Sequence, residues 1–362
     1  MERSLDSLRE AVRGSAIELF WEWWLASTQA LVDMAGSEDA IKALRPYYMN
    51  ANTSAMSQLS SRFENIAGRP DYMPWIIVLT TEAYLGGRTD VWFDEECLVR
   101  EVHGCRLNGE CPELCHMVCR ELTENALRQS QIQAYLDIEK GQFKGDDSCR
   151  SVTWFESVHQ TYDLRKMQKP EGVDVPRDLF DSLRLQYVSE SWVFTTRAFM
   201  DQNAKVANEA LRSYMRHSGL SYGIRLVERF PHEPRDRAFL ETVMQTIGEC
   251  HGRNQKCSPA EDLDEGEVTE CPFAQAPEAI CLQYEAFFNG MCEAINPSYE
   301  FVYQEKMTRG DSACRWVVQR RANRMASSET SGDSGLKALT LKYVNGEITK
   351  AEFSEMKKTL GV

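Results

Sequence analysis

The chain has 362 residues, a formal net charge of −14 and 43% hydrophobic residues. This length suggests two domains with a small appendage, and the apolar content is enough for ordinary folded cores. An acidic surface repels phosphate backbones and anionic lipids, so nucleic acid and membrane are excluded from the expected partners. No secretion signal opens the sequence, and no window reaches the roughly 18–20 apolar residues of a membrane helix. We therefore expect a cytoplasmic protein.

The first half opens with a predicted amphipathic helix whose apolar side chains share one face. Its members are Ile17, Phe20, Trp21, Trp24 and Leu25. We expect Gly36 to end this helix and Ser37 to cap a second one over about 38–64. An apolar stretch over 72–85 follows, and then a single strand-like segment over 90–102.

Each half contains a Cys-Pro pair, Cys111-Pro112 and Cys271-Pro272. Because proline is favoured in the first turn of a helix, both pairs predict a thiol at a helix N-terminus. The partial positive charge there lowers the pKa of a thiol and favours the thiolate. Cys271 and Cys111 are therefore candidate catalytic nucleophiles. The alternative is a buried structural cysteine that ends a strand.

Three motifs recur in the same order in the two halves, which predicts a duplication of one module. They are residues 40–49 and 207–215, then Glu-Cys-Pro at 110–112 and 270–272, then Gly-Asp-x-x-Cys at 145–149 and 310–314. A strand is expected after each Gly-Asp turn, over 149–155 and 314–319. We predict an α+β fold with modules at 1–165 and 177–322, joined by a Pro- and Gly-containing linker at 169–176.

The C-terminal segment, residues 336–362, follows a polar linker and is expected to form a small helical tail. It carries Leu-Lys-x-Leu, Asn-Gly-Glu-Ile-Thr and Lys-Lys-x-Leu, a pattern that closely resembles the SHOCT domain. That resemblance implies an appendage for oligomerisation or for binding a protein partner. A segment this small rarely folds alone, which agrees with the same role.

The 12 cysteines are a high count, and without a secretion signal they are expected to be thiols, metal ligands or reactive groups. Cys111, Cys115 and Cys119 are spaced by four residues, which places them along one face of a helix. Together with Cys149 they could form a four-thiolate site for zinc or an iron–sulfur cluster. The alternative for each cysteine is a small buried apolar side chain.

Glu-Cys-Pro, a helix with a further cysteine, and Gly-Asp-x-x-Cys before a strand together resemble the L-2-amino-thiazoline-4-carboxylic acid hydrolase family. The chain is also similar, more distantly, to the 4-vinyl reductase-type domains that bind small ligands. The resemblance covers most of 175–320 and, less well, 1–160. It implies an antiparallel sheet and helices around an apolar pocket in each module. The matching pocket positions are Cys314 and Asp311 in the second copy, and Cys149 and Asp146 in the first.

Two functions stay open from the sequence. In one, Cys271 or Cys111 attacks the amidine-like carbon of a small heterocycle, and the protein is a hydrolase of cyclic C–N bonds. In the other, the protein is a non-catalytic sensor or scaffold that holds a small ligand or a metal. The sequence identifies no substrate.

Overall fold

In the computed structural model, the described residues are 5–49, 78–79, 81–82, 85–94, 97–107, 111–124, 134–142, 145–155, 177–258, 265–271 and 273–321. The predicted linker at 169–176 and the SHOCT-like tail at 336–362 lie outside them. Helices and two antiparallel sheets make up these residues, so the class is α+β, as predicted. Within these ranges no helix is both long and apolar enough to cross a membrane.

The N-terminal helices follow the predicted boundary. Helix α1 spans Asp6–Ala35 and helix α2 spans Ser37–Met49. Between them Gly36 has a φ of 80°, a left-handed conformation that glycine adopts without steric cost. The predicted residues Phe20, Trp21 and Trp24 are buried, and so are Leu19 and Trp23, which flank them on the helix surface. Helix α1 is therefore enclosed more widely than one apolar stripe requires.

The first sheet has four antiparallel strands in the order β1-β2-β4-β3. The strands are β1 Arg88–Asp94, β2 Cys97–His103, β3 Ala134–Lys140 and β4 Cys149–Phe155. Strand β4 confirms the strand predicted after the Gly-Asp turn. Before strand β3, the short helix α3, Pro112–Cys115, continues into a π-helical segment, His116–Leu122.

The single strand predicted over 90–102 is wrong, because this segment contains parts of two strands. Strand β1 ends at Asp94, strand β2 begins at Cys97, and the two pair antiparallel with Asp94 opposite Cys97. The residues between them are two glutamates rather than the glycine or asparagine that marks most tight hairpins. The reversal therefore carried no turn signal.

The second sheet has the order β5-β6-β8-β7, again fully antiparallel. Its strands are β5 Asn254–Ser258, β6 Glu265–Glu270, β7 Tyr299–Glu305 and β8 Cys314–Arg320. The helices around it are α4 Arg177–Arg229, α5 Arg237–Cys250 and α6 Ala279–Ile295. Strand β8 confirms the second predicted Gly-Asp strand.

Helix α4 is interrupted at Asn203, whose backbone is extended (φ −161°, ψ 95°). The Asn203 side chain accepts the backbone N–H of Val206 at 3.1 Å, as an N-cap residue does. The chain divides nearby into two compact units: a first-sheet unit, Ser15–Ala207, and a second-sheet unit, Met1–Gly14 with Asn208–Val362. Each unit contains one sheet.

The same hydrogen bond supports the turn before the last strand of each sheet. The Asp146 carboxylate accepts the backbone N–H of Gly141 at 2.9 Å, and Asp311 accepts that of Lys306 at 2.8 Å. Both aspartates are exposed. The two predicted pocket aspartates therefore act within their own turns, which present the following cysteines.

Helices α4 and α6 of the second-sheet unit approach each other closely at glycines. A Cβ atom on Gly219 would lie 1.9 Å from the Phe287 carbonyl oxygen, and one on Gly290 would lie 2.0 Å from the Arg216 carbonyl oxygen. These are backbone atoms, so no side-chain rotation relieves the clash. The two glycines thus fix the position of helix α6.

We expect Gly219→Ala to destabilise the second-sheet unit by about 1–3 kcal/mol, the usual cost of overpacking. The matched control is Gly14→Ala, because Gly14 is also helical but its Cβ would meet no atom within 4 Å. That control should be neutral or stabilising by up to about 1 kcal/mol, since alanine favours helix over glycine. Denaturant unfolding measures both, and equal midpoints for the two variants would contradict this packing.

Candidate functional site

The predicted residues Cys271 and Cys314 lie together in the second-sheet unit. Cys271 directly follows strand β6, and Cys314 is the first residue of strand β8, which pairs with β6. Each thiol is the largest influence that a neighbouring group has on the pKa of the other. The backbone N–H of Met307 also donates to the Cys314 sulfur at 3.2 Å. Both sulfurs are therefore held by neighbouring strands of one sheet.

The expected helix start at Cys271 is wrong. A turn follows this cysteine, with the N–H of Ala274 donating to the Cys271 carbonyl, and helix α6 begins only at Ala279. Pro277 lies between them, and the residue before a proline is disfavoured in helical conformation. A helix cannot therefore run on from Cys271, and its thiolate needs a different source of stabilisation.

The Cys271 thiolate is stabilised in part by Arg253, a residue that no sequence motif indicated. Its side chain is only 6% exposed. Its guanidinium carbon lies 3.9 Å from the centre of the Tyr284 ring, and its Nη1 donates to the Tyr303 hydroxyl at 3.1 Å. Its positive charge also acts on Cys271 and favours the thiolate. Arg253 is thus held by two tyrosines, with its charge acting on the candidate nucleophile.

The environment lowers the pKa of Cys271 to about 6. The largest cause is the hydrogen bond from Cys314, followed by burial, which opposes ionisation, and by the positive charge of Arg253. The pKa of Cys314 is raised, because it donates to Cys271 and is buried. A bond between two thiols does not itself decide which one ionises. Arg253 decides it, since its positive charge favours the Cys271 thiolate.

The described groups that favour the charge of Arg253 most strongly are a phenol and two thiols. Burial opposes the charge, but Tyr303, Cys271 and Cys281 together raise the pKa of the guanidinium. Its Nε has no hydrogen-bond partner among the residues that the structure describes. The Cys271 thiolate is therefore the natural counter-ion of this buried cation.

Aromatic rings and a histidine enclose the site. His251 packs edge-on against Phe273 and Tyr284, with ring centres 5.5 and 5.2 Å apart. Burial first, and then the charge of Arg253, hold the pKa of His251 well below its usual range. This imidazole is consequently neutral at physiological pH and can act only as a neutral partner.

Lys306 is a second buried cation in this unit, and it is already paired. Its Nζ lies 3.2 Å from Glu285 Oε2 and 3.6 Å from Glu278 Oε1, and it also lies over the Tyr303 ring. Two carboxylates satisfy this ammonium group, which distinguishes it from Arg253. Its role is to anchor the turn before Cys314 to helix α6.

The first-sheet unit contains a buried arginine at a different position. Arg100, on strand β2, donates to Ser151, Thr81 and Thr123 at 3.1–3.3 Å and to the Cys119 carbonyl at 3.2 Å. Burial lowers the pKa of this guanidinium. Neutral oxygens thus satisfy Arg100, so this arginine has a structural role.

The strand register explains why Arg100 of the first sheet has no counterpart at the same position in the second sheet. In the first sheet Val102 lies opposite Cys149, and in the second Val268 lies opposite Cys314. Two residues before these valines the first sheet pairs Arg100 with Ser151, whereas the second pairs Gly266 with Trp316. A Cβ on Gly266 would lie 2.1 Å from the indole. The tryptophan therefore occupies the space that an arginine takes in the other sheet.

In the first sheet, the position equivalent to Arg253 has no space for a side chain. In the second sheet, Gln255 lies opposite Val268, and Arg253 is two residues before Gln255. In the first sheet, Thr89 lies opposite Val102, and Gly87 is two residues before Thr89. Gly87 is therefore the position that corresponds to Arg253. A Cβ on Gly87 would lie 2.4 Å from the His103 carbonyl oxygen. No side chain fits there, so the first-sheet unit cannot supply a guanidinium from this position.

The other predicted nucleophile, Cys111, lies beside a carboxylate instead of a cation. Its sulfur is 3.5 Å from Glu113 Oε2. Burial first, and then the charge of Glu113, raise the pKa of Cys111 to about 12, although the N–H of Leu114 at the start of helix α3 favours the thiolate. Cys111 is therefore a neutral thiol and a poor nucleophile.

The predicted metal ligands do not form a metal site in the described structure. Cys149 is close enough to raise the pKa of Cys115 and Cys119. Among the described residues, however, no group of three or more His, Cys, Asp or Glu side chains could hold a metal ion. Successive positions four apart on a helix are separated by about 6 Å along its axis. The π-helical segment also moves Cys119 off the regular α-helical face on which Cys111 and Cys115 were placed.

We expect iodoacetamide at limiting dose and neutral pH to label Cys271 first. Its pKa is lowered, so the reactive thiolate is present at pH 7, and the labelling rate should fall as the pH drops through about 6. Peptide mapping by mass spectrometry measures this. The internal controls are Cys111 and Cys292, whose pKa values burial raises to about 12. Labelling of Cys271 with an ordinary thiol pH profile would contradict the assigned ionisation.

Comparison with known proteins gives no direct guide to this site. No family model, no curated protein and no solved structure matches the chain. The resemblance inferred from the Cys-Pro and Gly-Asp motifs therefore stays a prediction. What the site can do has to be argued from Cys271, Cys314 and Arg253 themselves.

Proposed function

We propose that this chain is a thiol-dependent hydrolase that opens a cyclic C–N bond of a small heterocycle, similar to L-2-amino-thiazoline-4-carboxylic acid hydrolase. Its active site is Cys271 with Cys314 and Arg253 in the second-sheet unit. The observation that supports this proposal is the position of Cys271 between a second thiol and a buried guanidinium. A charged partner and a neighbouring proton donor are what a nucleophilic cysteine requires.

The proposed reaction begins when the Cys271 thiolate adds to the amidine-like carbon of the ring. The electron pair of the C=N bond moves to the ring nitrogen, which takes the proton of Cys314. Collapse of the adduct breaks the ring C–N bond: the exocyclic amino nitrogen forms a C=N bond to the carbon and gives up a proton, and the departing ring nitrogen takes that proton and becomes an amine. Water then displaces the Cys271 sulfur from the carbon. One water is consumed, and Cys314 regains its proton from solvent.

Arg253 serves this reaction in two ways. Its charge keeps Cys271 ionised, and its bonds to Tyr303 and Tyr284 keep the guanidinium in place. The Nε–H, which has no acceptor among the described residues, can donate to an acidic group of the substrate. An anionic heterocycle such as a thiazoline carboxylate therefore suits the site better than a neutral one.

We further propose that the two sheets are copies of one module and that only the second has kept the reactive thiol. The identical strand order and the identical Asp-supported turns support the duplication. The difference between the copies is chemical: Glu113 accompanies Cys111, whereas Arg253 accompanies Cys271. The first copy then contributes structure rather than catalysis.

The alternative is a non-catalytic protein that holds a small ligand at the same site, as the 4-vinyl reductase-like reading implies. The observation that favours it is the dense packing of Tyr284, Phe273 and His251 around the thiols. Flat rings pack well against a planar ligand. Binding without turnover distinguishes this function from hydrolysis.

The proposed role of residues 336–362 in oligomerisation or partner binding rests on the sequence of the tail. The same is true of the proposed cytoplasmic location. Both proposals are independent of the chemistry at Cys271.

We expect the purified, reduced protein to open the ring of L-2-amino-thiazoline-4-carboxylate, so that a new primary amino group appears on the product, and Cys271→Ala to lower kcat/KM by about 10³-fold or more. Loss of a catalytic nucleophile has effects of at least this size. The matched control is Cys111→Ala, which should retain activity because Cys111 is a neutral thiol. Equal loss in both variants would contradict the assignment. Ligand binding without turnover in the wild type would support the alternative function instead.

A further inference from the structure

The two thiols of the second-sheet unit can do chemistry besides hydrolysis. In the proposed hydrolysis Cys271 is the nucleophile and Cys314 is a proton donor, but each thiol also acts directly on the ionisation of the other. Cys271 is partly exposed, whereas Cys314 is only 4% exposed. One sulfur is thus accessible to a reagent, and the other is protected from it but lies within reach of the first.

We propose that Cys271 and Cys314 are a reversible modification site, which a hydroperoxide oxidises to an intramolecular disulfide. The proposal goes beyond hydrolysis and does not depend on it, although it uses the same nucleophile. It makes Cys271 the sulfur that reacts with the peroxide and Cys314 the sulfur that resolves the product.

The first step is attack of the Cys271 thiolate on one oxygen of the peroxide. An S–O bond forms, the O–O bond breaks, and the other oxygen leaves with a proton as water or an alcohol. Cys271 becomes a sulfenic acid. In the second step the Cys314 sulfur attacks Cys271, the S–S bond forms and the S–O bond breaks. The hydroxyl group leaves as water with the proton of Cys314. The two sulfurs lose two electrons in total, and the peroxide gains them.

Arg253 is positioned to assist the first step. Its guanidinium donates to Tyr303 and its charge acts on Cys271, so a fixed cation is available to stabilise the negative charge that develops on the departing oxygen. Tyr284 fixes the plane of the guanidinium at 3.9 Å. A cation held in this way stabilises both the thiolate before the reaction and the leaving oxygen during it.

The backbone favours the second step. Cys314 begins strand β8, and the strand partner β6 leads directly into Cys271, so one ladder of hydrogen bonds anchors both residues. The Met307 N–H holds the Cys314 sulfur on this side of the turn. A disulfide requires the sulfurs to approach to about 2.05 Å, and the two residues lie at the ends of paired strands, where such an approach needs only a local movement.

The other thiols near the site are arranged differently. Cys281 is buried, and its thiol is hydrogen-bonded to the Thr308 hydroxyl at 3.3 Å. In the first-sheet unit Cys111 lies beside the Glu113 carboxylate, which repels a thiolate. Oxidation should therefore be selective for the Cys271–Cys314 pair. The disulfide would remove the thiolate, and a dithiol reductant would restore it.

The test treats the reduced full chain with one equivalent of hydrogen peroxide, without substrate, and maps disulfides after alkylation of the remaining thiols. We expect a Cys271–Cys314 disulfide that dithiothreitol reverses. In Cys314→Ser, whose hydroxyl still donates to Cys271, the sulfenic acid should accumulate and be trapped by dimedone. The matched control Cys292→Ser should form the disulfide as the wild type does.

Two results would overturn the proposal. One is oxidation of wild-type Cys271 to the sulfinic acid while Cys314 stays a free thiol. The other is oxidation spread evenly over the cysteines, including Cys111. Neither result bears on turnover of the thiazoline, which is measured on reduced protein, so failure of this proposal and failure of the proposed hydrolase are distinguishable.

Discussion

A guanidinium that is buried beside thiols and phenols constrains the whole second-sheet unit. Removing a cation from water costs several kcal/mol even after relaxation, so an anionic or aromatic partner has to compensate. For Arg253 the compensation comes from the Tyr284 ring, the Tyr303 hydroxyl and the Cys271 sulfur. A desolvated cation–π contact contributes about 2 kcal/mol, which is less than the desolvation cost of the guanidinium. The negative charge of the Cys271 thiolate can compensate for the rest. The reactive state of Cys271 thus depends on the neighbouring Cys314 and on the buried charge of Arg253.

The backbone around Arg253 provides this arrangement. Gly252 takes a left-handed φ of 71° at the end of helix α5 and turns the chain into strand β5, so that Arg253 enters the unit rather than solvent. Close packing at Gly219 and Gly290 fixes helix α6, which carries Tyr284. In the first sheet the equivalent position is Gly87, where no side chain fits. Similar strand order therefore coexists with different chemistry.

Local signals were sufficient for part of this structure. Gly36 and Ser37 marked the boundary between helices α1 and α2, because a left-handed residue and an N-cap are set by neighbouring backbone. The Gly-Asp turns likewise predicted strands β4 and β8. The hairpin of strands β1 and β2 was missed since its connection lacks turn residues. The helix start at Cys271 was misassigned because Pro277, and not Pro272, precedes helix α6.

The importance of Arg253 could not be read from the sequence. A charged residue after a glycine is ordinarily a solvated loop residue, and its burial depends on tertiary contacts with strand β7 and helix α6. The cysteines were identified from their repeated motifs, but their ionisation depends on the partners that folding brings together. Cys111 and Cys271 share one motif and differ because Glu113 follows the first and Arg253 approaches the second.

The most direct test of this dependence is a pH titration of the thiolate ultraviolet absorbance in the wild type and in Arg253→Met. The wild type should show one thiolate forming with a midpoint near pH 6 that is absent from Cys271→Ser. In Arg253→Met the midpoint should rise toward the ordinary thiol value, because the cation is gone and burial then opposes ionisation. Arg309→Met, which changes an exposed arginine of the same unit, should leave the midpoint unchanged. An unaltered midpoint in Arg253→Met, with the fold intact by circular dichroism, would contradict the account.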